Sequence, residues 1–523
     1  MSFVSWQYPL LLAILYLLYW RVPQGMRVVL ITAASYFFYG CWDPRFLTLI
    51  LGTTCVDFLC GRLLAGERVP PWKSAALLLS PAMWLGICTL IPGLEKVTLG
   101  MAGLAAAIGV AVFAIMTRLG PALPGEMRRG PVVLSICFNL LILGFFKYFG
   151  FFVESMEALL TSLGLAPTLP ILAIVLPVGI SFYTFQSLSY IIDVYRGKTE
   201  SCRHFFDYAA YISFFPQLVA GPIERSTDLL PQILKERTFE LDHLGVGCRL
   251  ILVGLFKKLF VADNCALIAN YAFEPGTPLN APWAILGAVA FAFQIYGDFS
   301  GYTDIARGSA RMLGIHLQQN FRYPYLAQGP SDFWQRWHIS LSSWFRDYVY
   351  IPLGGNRKGG ARTIINLLLT MLIAGLWHGA SWNFVLWGAF HGILLVGYRL
   401  TPGLSQLEAA KGFGRLPAIV LMFAFTLVGW ALFRSADLAA FGNWFTALAN
   451  WDSTTAPEWV RPLKFLLFHL GPLWWIQIYS IKQADEVAFG RFHWLVRGGT
   501  YAFMGALIAC SSGGNQEFIY FQF

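Results

Sequence analysis

Apolar runs long enough to cross a bilayer, or nearly so, recur from one end of the 523-residue chain to the other. Residues 8–20, 46–64, 97–117, 132–152, 171–195, 284–302, 363–376 and 419–433 are among them. Such repetition leaves few folds open, because a backbone in hydrocarbon must satisfy its donors and acceptors within its own segment, which predicts helices. Charged residues are 12% of the chain and apolar ones 57%, about half the charge of an ordinary soluble domain. The chain therefore reads as an all-α polytopic membrane protein, residues 1–523 forming a single membrane domain. Pro or paired Gly inside several runs predicts broken or re-entrant pieces.

The N-terminus has no basic residues before its first apolar run and no small-residue cleavage pattern, so that run is expected to stay as an anchor. Nine cysteines lie mostly within apolar runs, none in a zinc-like CxxC pair; packing is their expected role, with no metal site. A net charge of +9 records orientation rather than nucleic-acid binding in a chain of this kind. Basic residues recur in alternate connections: Arg21 and Arg27; Arg62, Arg68 and Lys73; Arg118, Arg128 and Arg129; Arg196, Lys198 and Arg203. Residues 307–362 carry eight more, whereas 264–282 and 511–523 carry none. By the positive-inside rule the basic connections face the cytoplasm, and both termini are expected on the outer side of a bacterial inner membrane. That places the aromatic tail "FIYFQF", with Tyr520, at the extracytoplasmic surface, where an aromatic belt is the plain alternative to a functional tail.

Chemistry concentrates between residues 296 and 392. Here "YGDFSGYTDIARG", "NFRYPYLAQGPSDFWQRWHISLSSWFRDYVYIPLGGNRKGG" and "GLWHGASWNFVLWGAFHG" bring Asp298, Asp304, His338, Arg346, Asp347, His378 and His391 into apolar surroundings. Ionisable groups at membrane depth are costly and mark sites. Imidazole titrates near neutrality, and an apolar environment keeps it neutral and able to accept a proton. His378 ends the run 363–376, and Gly375 and Gly379 beside it would let a substrate approach the ring, which makes it a candidate general base. His391 is read as a packing or orienting residue. Asp298 and Asp304 are read first as helix-joining hydrogen-bond partners.

These motifs, with "LPVGISFYTFQSLSYIIDVYRG" and "FFPQLVAGPIER", closely resemble the membrane-bound O-acyltransferase superfamily, in its bacterial polysaccharide branch. The resemblance implies a bundle of tilted and re-entrant helices around a central channel, with residues 130–400 as catalytic core, His378 as the intramembrane histidine and His338 as the second active-site position. It implies an acyl-CoA-dependent O-acyltransferase with no bound cofactor: acetyl-CoA or another thioester is the donor, and an exported polysaccharide the acceptor. His338 would orient His378, bind the oxyanion or relay the proton. Arg346, Arg357 and Lys358, in the glycine-rich "GGNRKGG" neighbourhood, are candidates for the CoA phosphates, and Trp377 and Asp298 for further substrate or donor contacts. In this branch polymer modification belongs to an exported SGNH-type partner, and the tail (511–523) would use Tyr520 as an acyl carrier to it. Residues 73–118 add a pair of apolar runs to the branch pattern. A lipid or protein O-acyltransferase of the same superfamily, or a polymer or solute transporter, are the alternatives.

Overall fold

The computed structural model describes residues 2–120, 129–165, 172, 174–219, 221–452, 454, 458–511, 514 and 516–519. Every regular element among them is helical. Six helices are long and apolar enough to cross a membrane, or up to 7 if the pair Trp382–Leu400 and Pro402–Glu408, bent by 98°, is one span. This is fewer than the apolar runs, for a geometric reason. The run at 8–20 folds as the 13-residue helix Gln7–Tyr19, whose length of about 20 Å is short of a hydrocarbon core of about 30 Å. The bend follows Leu400 because Pro402 lacks the N–H that a continuing helix would need.

The chain divides into two compact units, 1–244 with 309–317, and 245–308 with 318–523. The first contains α1 (Gln7–Tyr19), α2 (Gln24–Gly40), α3 (Leu47–Leu64), α4 (Pro71–Cys88), α5 (Glu95–Leu119), α6 (Arg129–Leu143), α7 (Phe149–Ser162), α8 (Ile180–Tyr195) and α9 (Phe205–Ser213). The added runs at 73–118 are α4 and α5, packed on one another so closely that a Cβ at Gly109 would fall on the Leu78 carbonyl oxygen. Fully buried Asp57 on α3 ties neighbouring helices together, accepting from Ser135 (2.5 Å) and Asn139 (2.9 Å) on α6 and from Tyr208 (3.4 Å) on α9. Such polar contacts hold helices where apolar surface alone gives no preference over lipid.

The second unit is built around α10 (Leu241–Leu255, from residue 245 onward), α11 (Asp263–Phe273), α12 (Ala281–Met312, up to residue 308), α13 (Ile339–Phe345), α14 (Gly360–His378), α15 (Trp382–Leu400), α16 (Arg415–Arg434), α17 (Val460–Gln483) and α18 (Trp494–Ala509). Its centre is α12. The most apolar stretch of α12 is the least apolar of the six spans yet 89% buried, so its polar residues face protein rather than lipid. Glycines seven apart on two helices set this approach: a Cβ at Gly301 would press on the Gly254 carbonyl and one at Gly308 on that of Gly247, at 2.7 and 2.6 Å. A π-helical segment, Phe256–Ala262, joins α10 to α11 and carries Lys257 and Lys258 inward.

Candidate active site

His338 stands at the N-cap of α13 with a left-handed backbone (φ 44°) and no exposed surface. A non-glycine residue pays for this conformation and keeps it only when its surroundings over-determine it. Here they do. The stretch before α13 is clamped by residues 320–322: Arg322 N–H donates to the Arg336 carbonyl and Ile339 N–H to the Asn320 carbonyl, both at 2.9 Å. The Asn320 side-chain carbonyl accepts from Ser340 N–H (3.1 Å) and the Ser340 hydroxyl (3.0 Å), and lies 3.1 Å from His338 Nδ1. Because the Ser340 N–H fixes that atom as the oxygen, Nδ1 must be the donor. A neutral His338 then carries its lone pair on Nε2, where it can accept a proton but not donate one.

His378 is the last residue of α14 and is buried. Its ring lies 4.9 Å from those of Trp377 and Trp387 and 5.5 Å from Phe433. His338 lies 6.1 Å from the same Trp377 ring, so one indole touches both histidines. The glycines beside His378 have a packing duty: a Cβ at Gly375 would strike the Phe384 carbonyl and one at Gly379 the Phe384 ring. The close approach expected there of a substrate is made by α15 instead.

An open cavity of about 1140 Å³ in the same unit is lined by Arg307, Arg322, Arg336 and Arg415, facing Asp485 and Glu486. It shares Leu250, Arg307, Gln319, Tyr323, Ser480 and Glu486 with a smaller pocket of about 40 Å³ whose wall includes Asn320. The residue that holds His338 is thus in the wall of a pocket adjoining the basic vestibule. Among the described residues the non-glycine positions with positive φ are Tyr323, His338 and Ala484; the first and last line this vestibule.

The expected basic residues lie elsewhere. Arg346 is exposed and paired with Asp347 at 2.8 Å, and Arg357 and Lys358 are exposed beside the left-handed Gly354 and Gly355; the vestibule lining is made of other arginines. His391 is buried among Phe333, Trp334 and Trp387, in the packing role read from sequence. Asp304 pairs with Lys257 at 2.6 Å and Arg307 at 3.3 Å. Asp298 pairs with Lys258 at 2.9 Å and accepts from the Ile519 N–H at 2.7 Å. Tyr520 lies outside the described residues, but Phe518 and Ile519 before it are buried. Phe518 packs 4.2 Å from Tyr302 and 6.1 Å from Phe299, whose ring is 4.7 Å from His338. Among the described residues no group of three or more His, Cys, Asp or Glu side chains gathers to hold a metal.

Two buried histidines beside one indole, within an all-helical membrane protein, agree with what the comparisons show. Residues 201–436, which include both histidines, match the model of the membrane-bound O-acyltransferase family. The chain belongs to that family. It is 37% identical over 441 residues to a probable alginate O-acetylase (AlgI) of Azotobacter vinelandii, covering 84% of this chain and 76% of that protein. It is 35% identical over 345 residues to a peptidoglycan O-acetyltransferase of Helicobacter pylori, covering 60% and 64%, and 28% identical over 273 residues to a teichoic acid D-alanyltransferase of Bacillus subtilis, covering 49% and 68%.

Proposed function

We propose that this protein is an inner-membrane O-acetyltransferase that takes an acetyl group from a cytoplasmic thioester, acetyl-CoA, and passes it across the membrane for O-acetylation of an exported polysaccharide. The observation that carries the reading is that the arginine-lined vestibule shares part of its wall with a pocket lined by Asn320, the residue hydrogen-bonded to His338. Guanidinium groups suit the phosphates of a CoA-type donor, so Arg322, Arg336 and Arg415 take the part that sequence gave to Arg346, Arg357 and Lys358. The relatives named as O-acetyltransferases act on alginate and peptidoglycan, which supports a glycan as final acceptor.

In the first transfer the acceptor hydroxyl, that of Tyr520, attacks the thioester carbonyl as His378 removes its proton. A C–O bond forms, the C–S bond breaks and the proton passes to the departing thiolate, giving free thiol and an aryl acetate. His338, a proton acceptor at Nε2 when neutral, serves the relay rather than the oxyanion, because a lone pair does not stabilise negative charge. In the second transfer an exported SGNH-type partner moves the acetyl group to a polysaccharide hydroxyl, and Tyr520 recovers its proton. A phenol leaves more readily than an alkyl alcohol, which keeps the carrier ester reactive.

Ester-linked acetate on the exported polysaccharide of cells producing wild-type or His378→Ala protein tests the function. Loss in the variant, at equal protein level, is expected; undiminished acetylation would return the chain to the transporter or scaffold class.

A further inference from the structure

Lys258, Asp263 and Asp298 form a charged cluster that the transfer chemistry does not use, and it meets the C-terminal segment. Lys258 is 1% exposed and its ammonium lies 2.8 Å from Asp263 and 2.9 Å from Asp298. Its third contact is the main-chain carbonyl of Gln516, at 2.8 Å. An ammonium has three donors and no acceptor, so two carboxylates and one tail carbonyl complete it. Asp298 in turn accepts the Ile519 N–H at 2.7 Å. Nearby, the Ser511 hydroxyl donates to the Leu259 carbonyl at 2.6 Å and accepts from Asn264 at 2.9 Å. The tail is held through its main chain, by one carbonyl and one N–H, with Phe518 seated against Tyr302 and Phe299.

Without the tail, the cluster would keep a buried ammonium lacking one partner and a carboxylate lacking an N–H donor. Unmet charges in such a place cost far more than exposed ones. An aromatic belt at a membrane surface needs no such arrangement, since it is held by ring partitioning alone.

We propose that Lys258, Asp298 and Asp263 are positioning residues: a latch that grips residues 516–519 by their backbone and so fixes where the following residue, Tyr520, begins its approach to the histidine pair. The proposal rests on the carrier role of Tyr520 given above, but the grip is measurable without it. A main-chain grip makes the latch tolerant of side-chain identity at Gln516 and sensitive to loss of the N–H at 519.

The test uses the full-length protein in detergent, with hydrogen exchange of the C-terminal peptide read by mass spectrometry beside acetyl labelling from isotope-labelled acetyl-CoA. Ile519→Pro removes the N–H from the tail itself and leaves the body of the protein untouched. The paired change Lys258→Met with Asp298→Leu removes both the donor to the Gln516 carbonyl and the acceptor of the Ile519 N–H, leaving Asp263 as the one charge of the cluster, and Lys258→Arg keeps a cationic donor. Wild type is expected to protect the tail amides, Ile519→Pro and the paired variant to speed their exchange by about tenfold or more, and Lys258→Arg to retain most of the protection. Exchange in Ile519→Pro and the paired variant as slow as in wild type, or a wild-type tail that exchanges like free peptide, would overturn the latch. Latch-dependent protection with no acetyl on the tail in any protein would leave the latch standing and overturn the carrier role of Tyr520.

Discussion

The Asn320 side-chain carbonyl receives the Nδ1–H of His338 at 3.1 Å while holding two donors from Ser340. One asparagine thus sets both the tautomer of a buried imidazole and the turn that carries it. Asn320→Leu is expected to lower kcat by at least about tenfold, the worth of one buried hydrogen bond of ~1.4 kcal/mol, with KM for the thioester little changed. Asn320→Asp keeps an acceptor and is expected to retain more activity than the leucine variant. Steady-state kinetics on both, at matched thermal stability, checks the order.

Trp377 touches both histidine rings, at 4.9 and 6.1 Å. Trp377→Phe preserves an aromatic face and is expected to fold normally with reduced turnover. Trp377→Ala opens a void in a buried site, and thermal unfolding should show a loss of about 3–5 kcal/mol together with near-complete loss of transfer.

Donor binding is expected to distinguish two sets of basic residues. Arg322→Ala and Arg415→Ala, in the vestibule lining, are expected to raise KM for acetyl-CoA several-fold with kcat nearly unchanged, and the effect should shrink as added salt screens the phosphates. Arg357→Ala and Lys358→Ala, on the exposed loop, are expected to leave KM within about twofold, because a solvent-exposed charge is already screened. Initial rates against donor concentration at low and high salt decide it.

Two glycines on neighbouring stretches of the same helix pair give opposite expectations. A Cβ at Gly375 would collide with the Phe384 carbonyl, whereas one at Gly397 meets nothing within 4 Å. Gly375→Ala should therefore lower the midpoint of thermal unfolding and disturb His378 three residues on. Gly397→Ala should leave it unchanged or raise stability by about 0.5–1 kcal/mol, the usual gain from replacing glycine inside a helix.

The helical membrane class was legible because long apolar runs are a local signal, and His338 and His378 stood out as candidates because ionisable groups set within apolar context are one too. What escaped is non-local. Asn320 is an ordinary polar residue in a connection until the 320–322 and 336–339 backbones meet. The vestibule arginines come from positions 307, 322, 336 and 415, which no spacing rule joins, whereas Arg346, Arg357 and Lys358 drew attention because they lie in or near one glycine-rich basic stretch. Gly375 and Gly379 were read as openings for substrate because sequence does not say which neighbour fills the space a glycine leaves. Lys258 did leave a signal: a lysine pair inside the apolar stretch around 251–260, with an aspartate at 263, is costly unless paired. Its charge partners are Asp263 and Asp298, and the third contact, the Gln516 carbonyl, is more than 250 residues away.

The most direct measurement of the central claim is mass spectrometry of the C-terminal peptide after incubating purified wild-type, His378→Ala and Tyr520→Phe proteins with isotope-labelled acetyl-CoA. The expected result is labelled acetate on Tyr520 in the wild type alone, with free CoA released in step. Free CoA released in a His378-dependent way with no label on the tail would contradict the carrier, and label that persists in His378→Ala would contradict the histidine's role as base.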